Sequence, residues 1–103
     1  MRYDEFSHFL MSECGIQKHT ATDIKSRCRR VETQMKVLKG TEFDLDSMYL
    51  DDKCESVLNY LVFSNRESFS STNLPQTVAG LSDMRHAVKK YIMFCNHHAP
   101  EIS

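Results

Sequence analysis

Five apolar residues, Ile24, Cys28, Val31, Met35 and Leu38, recur at steps of four, three, four and three. That spacing follows the turn of an α-helix and is incompatible with a strand, whose side chains alternate with a period of two. It predicts a helix over residues 21–39, stopped by Gly40. The pattern returns near the other end of the chain in Leu81, Met84, Val88, Tyr91, Ile92 and Cys95, predicting a second amphipathic helix that ends near His97. Two long helices, each with one apolar stripe, must bury those stripes against other elements. No stretch alternates convincingly as a strand, so the class that follows is all-α.

Shorter signals fill in the rest. Tyr3, Phe6, Phe9 and Leu10 mark a first helix over residues 4–14. Gly15 then supplies a left-handed exit, and Ile16 folds back on the last turn. Thr20 or Thr22 is expected to cap the second helix. Residues 41–50 read as an acidic connector in which Phe43, Leu45 and Met48 tuck in as a short helical turn. Asp51 is expected to cap a third helix whose inward face is Cys54, Val57, Leu58, Leu61 and Val62. Residues 64–73 are polar and serine-rich, the composition of a loop. Gly80 costs about 1 kcal/mol relative to alanine inside a helix. Either packing there demands a close approach, or the last helix starts at Ser82. Residues 1–98 are expected to form one helical domain, with 99–103 a tail or the start of a linker.

Composition narrows the function classes. Hydrophobic content of 41% and charged content of 26% suit a soluble globular domain, and no apolar run is long enough to span a membrane. The opening Met1-Arg-Tyr-Asp-Glu lacks the apolar core of a signal peptide. Cys14, Cys28, Cys54 and Cys95 form no CxxC pair. At least three fall on inward faces, which suits reduced core thiols in a cytoplasmic protein. The net charge of −1 conceals a polarity. Residues 18–39 hold seven Lys/Arg against Asp23 and Glu32, a local +5, whereas residues 41–55 hold six acids against Lys53, a local −5. One basic and one acidic surface are expected. On helix two, Lys25, Arg29 and Lys36 share a flank. On the last helix, Arg85 and Lys89 share one flank, and Lys90 lies on the far side with His86, Met93 and His97.

Conventional catalytic or metal chemistry finds no footing. Adjacent His97 and His98 diverge by about 100° on a helix, and Cys95 belongs to the apolar face, so these residues with His8 do not form a metal set. Cys14 or Cys54 paired with His8 or His19 matches no nucleophile motif. There is no glycine-rich phosphate loop. Neither a metal nor an organic cofactor is expected, and no small-molecule substrate.

The opening Tyr3-Asp-Glu-Phe6…Phe9-Leu10 with Gly15-Ile-Gln-Lys-His-Thr20, the arginines Arg27, Arg29 and Arg30 before Val31, and Leu81-Ser82…Met84-Arg85…Val88…Tyr91…Phe94 occur in an order that resembles the N-terminal core-binding domain of tyrosine recombinases, the phage-integrase superfamily. The resemblance spans nearly the whole chain. It implies a four-helix SAM-like orthogonal bundle of the lambda-integrase N-terminal type, whose second and fourth helices face duplex DNA. The DNA-binding residues it implies are Lys18, His19 and Thr20 in the turn, Lys25 and Arg29 on helix two, and Arg85, Lys89 and Lys90 on the last helix. The family's catalytic Arg, His-x-x-Arg and Tyr set belongs to a second domain. No His-x-x-Arg occurs here, and Tyr91 reads as core. The expectation is therefore a non-catalytic DNA-binding module for recombination or integration, either the first piece of a longer protein or a stand-alone one. The acidic stretch is expected to lie away from the DNA face. The alternative is a helical protein-interaction module whose opposed charge patches pair between subunits or with a protein partner.

Overall fold

The computed structural model describes residues 2–40, 43–62, 67, 74, 75 and 77–99. Five helices run through them: α1 Tyr3–Ser12, α2 Lys18–Lys39, α3 Leu45–Asp52, α4 Glu55–Tyr60 and α5 Val78–His97, with no strand among the described residues. The all-α class is thus the one the chain adopts. The count of helices is five where four were expected, because the acidic connector is itself helical. The expected loop over 64–73 lies, apart from Glu67, outside the described residues.

α2 and α5 form the central pair. Ile24, Cys28, Val31 and Met35 are buried on α2, and Leu81, Met84, Val88, Tyr91 and Cys95 on α5, as the periodicity requires. Ala87, fully buried, lets the two helices come close enough for the Cys28 thiol to meet the Ala87 carbonyl at 3.2 Å. α1 closes this pair with aromatic rings. Phe6 meets Tyr91 edge-on at 4.9 Å and Phe94 at 5.6 Å, and Phe9 lies 5.6 Å from Phe94. Each fully buried side chain of this size is worth roughly 1.5–3 kcal/mol relative to exposure.

The punctuation of the helices is partly as read. Gly15 leaves α1 with φ +64°, and the Ile16 N–H reaches back to the Leu10 carbonyl at 3.0 Å. α2 starts at Lys18, earlier than expected. Gln17, with an extended backbone, occupies the cap position without a side-chain bond. Thr20 and Thr22 are therefore inside the helix, where the Thr22 hydroxyl donates to the Lys18 carbonyl at 3.0 Å. At the last helix, the close approach is real. A Cβ on Gly80 would lie 2.5 Å from the Pro75 Cβ, and the Gly80 N–H is bonded by the Thr77 side chain, so α5 starts at Val78 and not at Ser82.

The region around the expected third helix departs most. The acidic connector forms α3, capped by Asp44, one carboxylate oxygen of which accepts from the N–H of Asp46 at 2.8 Å and of Ser47 at 3.2 Å, and the helix expected from Asp51 starts later, as α4 at Glu55. Asp51 sits inside α3. The chain then breaks at Lys53 and Cys54, both left-handed with φ of 56° and 61°. The break turns the fully buried Cys54 inward, where its thiol donates to the Leu45 carbonyl at 3.5 Å. Asp52 accepts from the Ser56 N–H at 3.0 Å and so serves the start of α4 in the role expected of Asp51.

Candidate nucleic-acid interface

Steps of seven, four and seven residues put Lys18, Lys25, Arg29 and Lys36 on one side of α2. Lys18, Arg29 and Lys36 are exposed and Lys25 is half-buried. None of the four takes part in an ion pair among the described residues. The Arg29 guanidinium lies over the Tyr3 ring, 5.3 Å from its centre, which restrains the side chain without neutralising it. His19 and Thr20 are exposed but turn away from this strip, by about 100° per residue around the helix. Lys18 and His19 line a shallow hollow with Thr22 and Asp23. Of the three turn residues implied by the resemblance, only Lys18 joins Lys25 and Arg29.

On α5 the set is divided in the same way. Arg85, half-buried, and Lys89, exposed, lie on one strip that continues to Asn96. Lys90 is half-buried on another side of the helix. The Arg85 Nε is buried and has no hydrogen-bond partner. No side-chain bond joins the α2 set to the α5 set among the described residues.

Acidic residues occupy positions that periodicity did not mark. Glu32 is 7% exposed, the one buried charged residue among those described. It accepts from the Tyr3 hydroxyl at 3.1 Å and from the Leu45 N–H at 3.1 Å, tying α1, α2 and α3 together. Burial first, then Glu32, raises the Tyr3 hydroxyl well above its ordinary range. A second joint forms around Asp46. Its carboxylate accepts from the Tyr91 hydroxyl and pairs with the Arg2 guanidinium at 3.4 Å, while that guanidinium lies 4.6 Å from the centre of the Phe94 ring. α3 therefore stands against both basic helices: Leu45 bonds Glu32 of α2, and the Tyr49 hydroxyl donates to Asn96 of α5 at 2.7 Å. The start of the acidic stretch is thus bonded to the inner sides of α2 and α5.

The remaining reactive groups are built into the fold. Cys28, Cys54 and Cys95 are buried and Cys14 is half-buried, all as free thiols. Burial, then the neighbouring Cys95 and Asp52, pushes the Cys54 thiol up to about 12, and burial, then Asp46, does the same for Cys95. Burial also raises Cys28. Such thiols stay protonated at neutral pH and are poor nucleophiles. Tyr91 is fully buried with its hydroxyl on Asp46, a core position. His97 and His98 lie against Phe9 and Phe94, and no group of three or more His, Cys, Asp or Glu among the described residues is placed to hold a metal ion. Among the described residues no helix is long and apolar enough to cross a membrane. No known protein family, curated protein or solved structure matches the chain.

Proposed function

We propose that the chain is a non-catalytic duplex DNA-binding module of the SAM-like, core-binding kind, working in DNA recombination or integration in a reducing, cytoplasmic setting. The observation that carries this reading is the α2 strip of Lys18, Lys25, Arg29 and Lys36, which presents four cations in line with no ion pair among the described residues to cancel them. The one acid on the inner edge of that strip, Glu32, is turned inward onto Tyr3 and Leu45. Lysine and arginine on a helix flank bind phosphates and fix register, while sequence reading requires side chains that reach base edges. Arg85 and Lys89 of α5 add a second strip. Lys90, His19 and Thr20 contribute least, since each lies to one side of these strips. The reading is tested by fluorescence anisotropy of a mixed-sequence duplex against the full chain and its Lys25→Glu/Arg29→Glu/Lys89→Glu variant. The expected result is affinity that falls with log salt at a slope of about −0.9 per phosphate neutralised, and that disappears in the variant. Binding unaffected by the reversals removes this face from consideration.

A helical protein-interaction module is the second reading. A hollow lined by Met35, Phe43, Met48, Val57 and Tyr60 favours it, since methionine and aromatic side chains adapt readily to a protein partner. Salt-sensitive oligomers seen by sedimentation without DNA would support this reading over the first.

A further inference from the structure

Of the two acids on α2, Asp23 and Glu32, only Glu32 is three or four residues from a member of the basic strip. It follows Arg29 by three and precedes Lys36 by four, and side chains at those spacings are neighbours on a helix, with Cβ atoms about 5–6 Å apart. A glutamate four residues ahead of a lysine is also the favoured order for an ion pair. Yet Glu32 pairs with neither cation among the described residues. Its carboxylate is drawn inward, and the residue is buried. One oxygen accepts from the Tyr3 hydroxyl at 3.1 Å and the other from the Leu45 N–H at 3.1 Å.

Tyr3 touches the strip a second time. Its ring lies against the Arg29 guanidinium, which is 5.3 Å from the ring centre. Arg29 makes no ion pair and no hydrogen bond through its side chain among the described residues, so this ring is the contact that orients it. A guanidinium on an aromatic face keeps its charge, and its N–H edge stays open to a phosphate. The hydroxyl is a lasting donor, because burial, then Glu32, raises its ionisation far above neutral pH. Resting on the DNA-binding reading above, we infer that Tyr3 is the positioning residue of the α2 strip. Its hydroxyl holds the Glu32 carboxylate away from Arg29 and Lys36, and its ring holds the Arg29 guanidinium in place for a phosphate. The strip keeps four positive charges because α1 takes up the acid that would cancel one of them.

The test uses the full chain and the same mixed-sequence duplex over a range of salt. Tyr3→Phe keeps the ring against Arg29 and removes the bond to Glu32. Glu32 is then expected to turn to Lys36 or Arg29, which lowers the salt slope by about 1 and the affinity about 5-fold at physiological salt, the loss of one phosphate contact. Glu32→Gln added to Tyr3→Phe removes the competing charge and keeps an oxygen for the Leu45 N–H. It is expected to return slope and affinity to those of the unsubstituted chain, a rescue that a residue serving only the fold would not show. An unchanged slope in Tyr3→Phe, or a lowered slope that Glu32→Gln leaves lowered, overturns the role of Tyr3 and leaves the DNA-binding reading standing. Absence of binding by the unsubstituted chain at low salt overturns the DNA-binding reading, and the role of Tyr3 with it. If circular dichroism shows Tyr3→Phe unfolded, nuclear magnetic resonance of the unsubstituted chain takes its place. The side-chain N–H proton of Arg29 is expected upfield of the ordinary arginine position, shielded by the Tyr3 ring, and is expected to move when duplex is added. An Arg29 signal at the ordinary position, or one that duplex leaves unmoved, overturns the role.

Discussion

The α2–α5 pair and α3 are held by different physics. The pair is sealed by side chains that leave water almost completely, among them Val31, Leu81, Val88 and Tyr91, with Phe6 and Phe94 filling the end. α3 fully buries only Leu45, packs Met48 and Tyr49 partly against the core, and adds bonds from carboxylates and hydroxyls. Apolar burial is non-directional and grows with area, so it makes a rigid frame. Hydrogen bonds contribute only about 0.5–1.5 kcal/mol each net of water, but they fix orientation. The frame thus rests on area, and the seating of α3 rests in larger part on the direction of a few bonds.

The sharpest way to break this contrast is a truncation in the frame. Phe6→Ala removes a fully buried ring from between Tyr91 and Phe94 and is expected to cost about 3–5 kcal/mol in a urea titration. All helices should melt together. Glu32→Ala comes next, because it strikes the joint between the regions. It leaves the Tyr3 hydroxyl and the Leu45 N–H without their acceptor, and a loss of about 1–3 kcal/mol is expected by the same titration. A smaller loss would mean that water replaces the carboxylate there. Asp44→Ala should act mainly on α3, costing about 1 kcal/mol and speeding amide exchange at Asp46 and Ser47.

The same carboxyl gives a pH dependence. Partial burial pushes Asp44 up, but the N–H of Ser47, the positively charged amino terminus and the N–H of Asp46 together outweigh it and hold the carboxyl below its ordinary value. A lowered acid stabilises the fold above its unfolded pKa, and that contribution is lost as pH falls through the native value. Exchange in α3 should therefore quicken below about pH 4, the ordinary aspartate range, and Asp44→Ala should abolish that response.

Periodicity made α1, α2 and α5 legible, and with them the strips of Lys25 and Arg29 and of Arg85 and Lys89. These are local properties of a helix surface. α3 was legible only as a short turn, because its cap Asp44 stands in a run of acids where Asp51 and Asp52, directly before Cys54 and Val57, look equally suitable. The break at Lys53 and Cys54 uses left-handed conformations at non-glycine residues, which no composition signal marks. Glu32 read as a surface acid because the residues that hold it, Tyr3 and Leu45, are distant in sequence. Arg2 was missed for the same reason, since its partners Asp46 and Phe94 come from other helices. Four helices were expected because an eight-residue helix with one buried side chain has almost no apolar stripe to read.

The pairing of tyrosine hydroxyls with carboxylates also gives the molecule its own optical reporter. The chain has no tryptophan, so its ultraviolet emission comes from four tyrosines. Tyr3 donates to Glu32 and Tyr91 to Asp46, and a carboxylate that accepts from a phenol quenches its excited state by drawing off the proton. Both fluorophores are expected to emit weakly while their joints are made. Loss of the Glu32 joint should brighten Tyr3, and loss of the Asp46 joint should brighten Tyr91, so Tyr3→Phe and Tyr91→Phe would divide one emission signal between the two joints without any added dye.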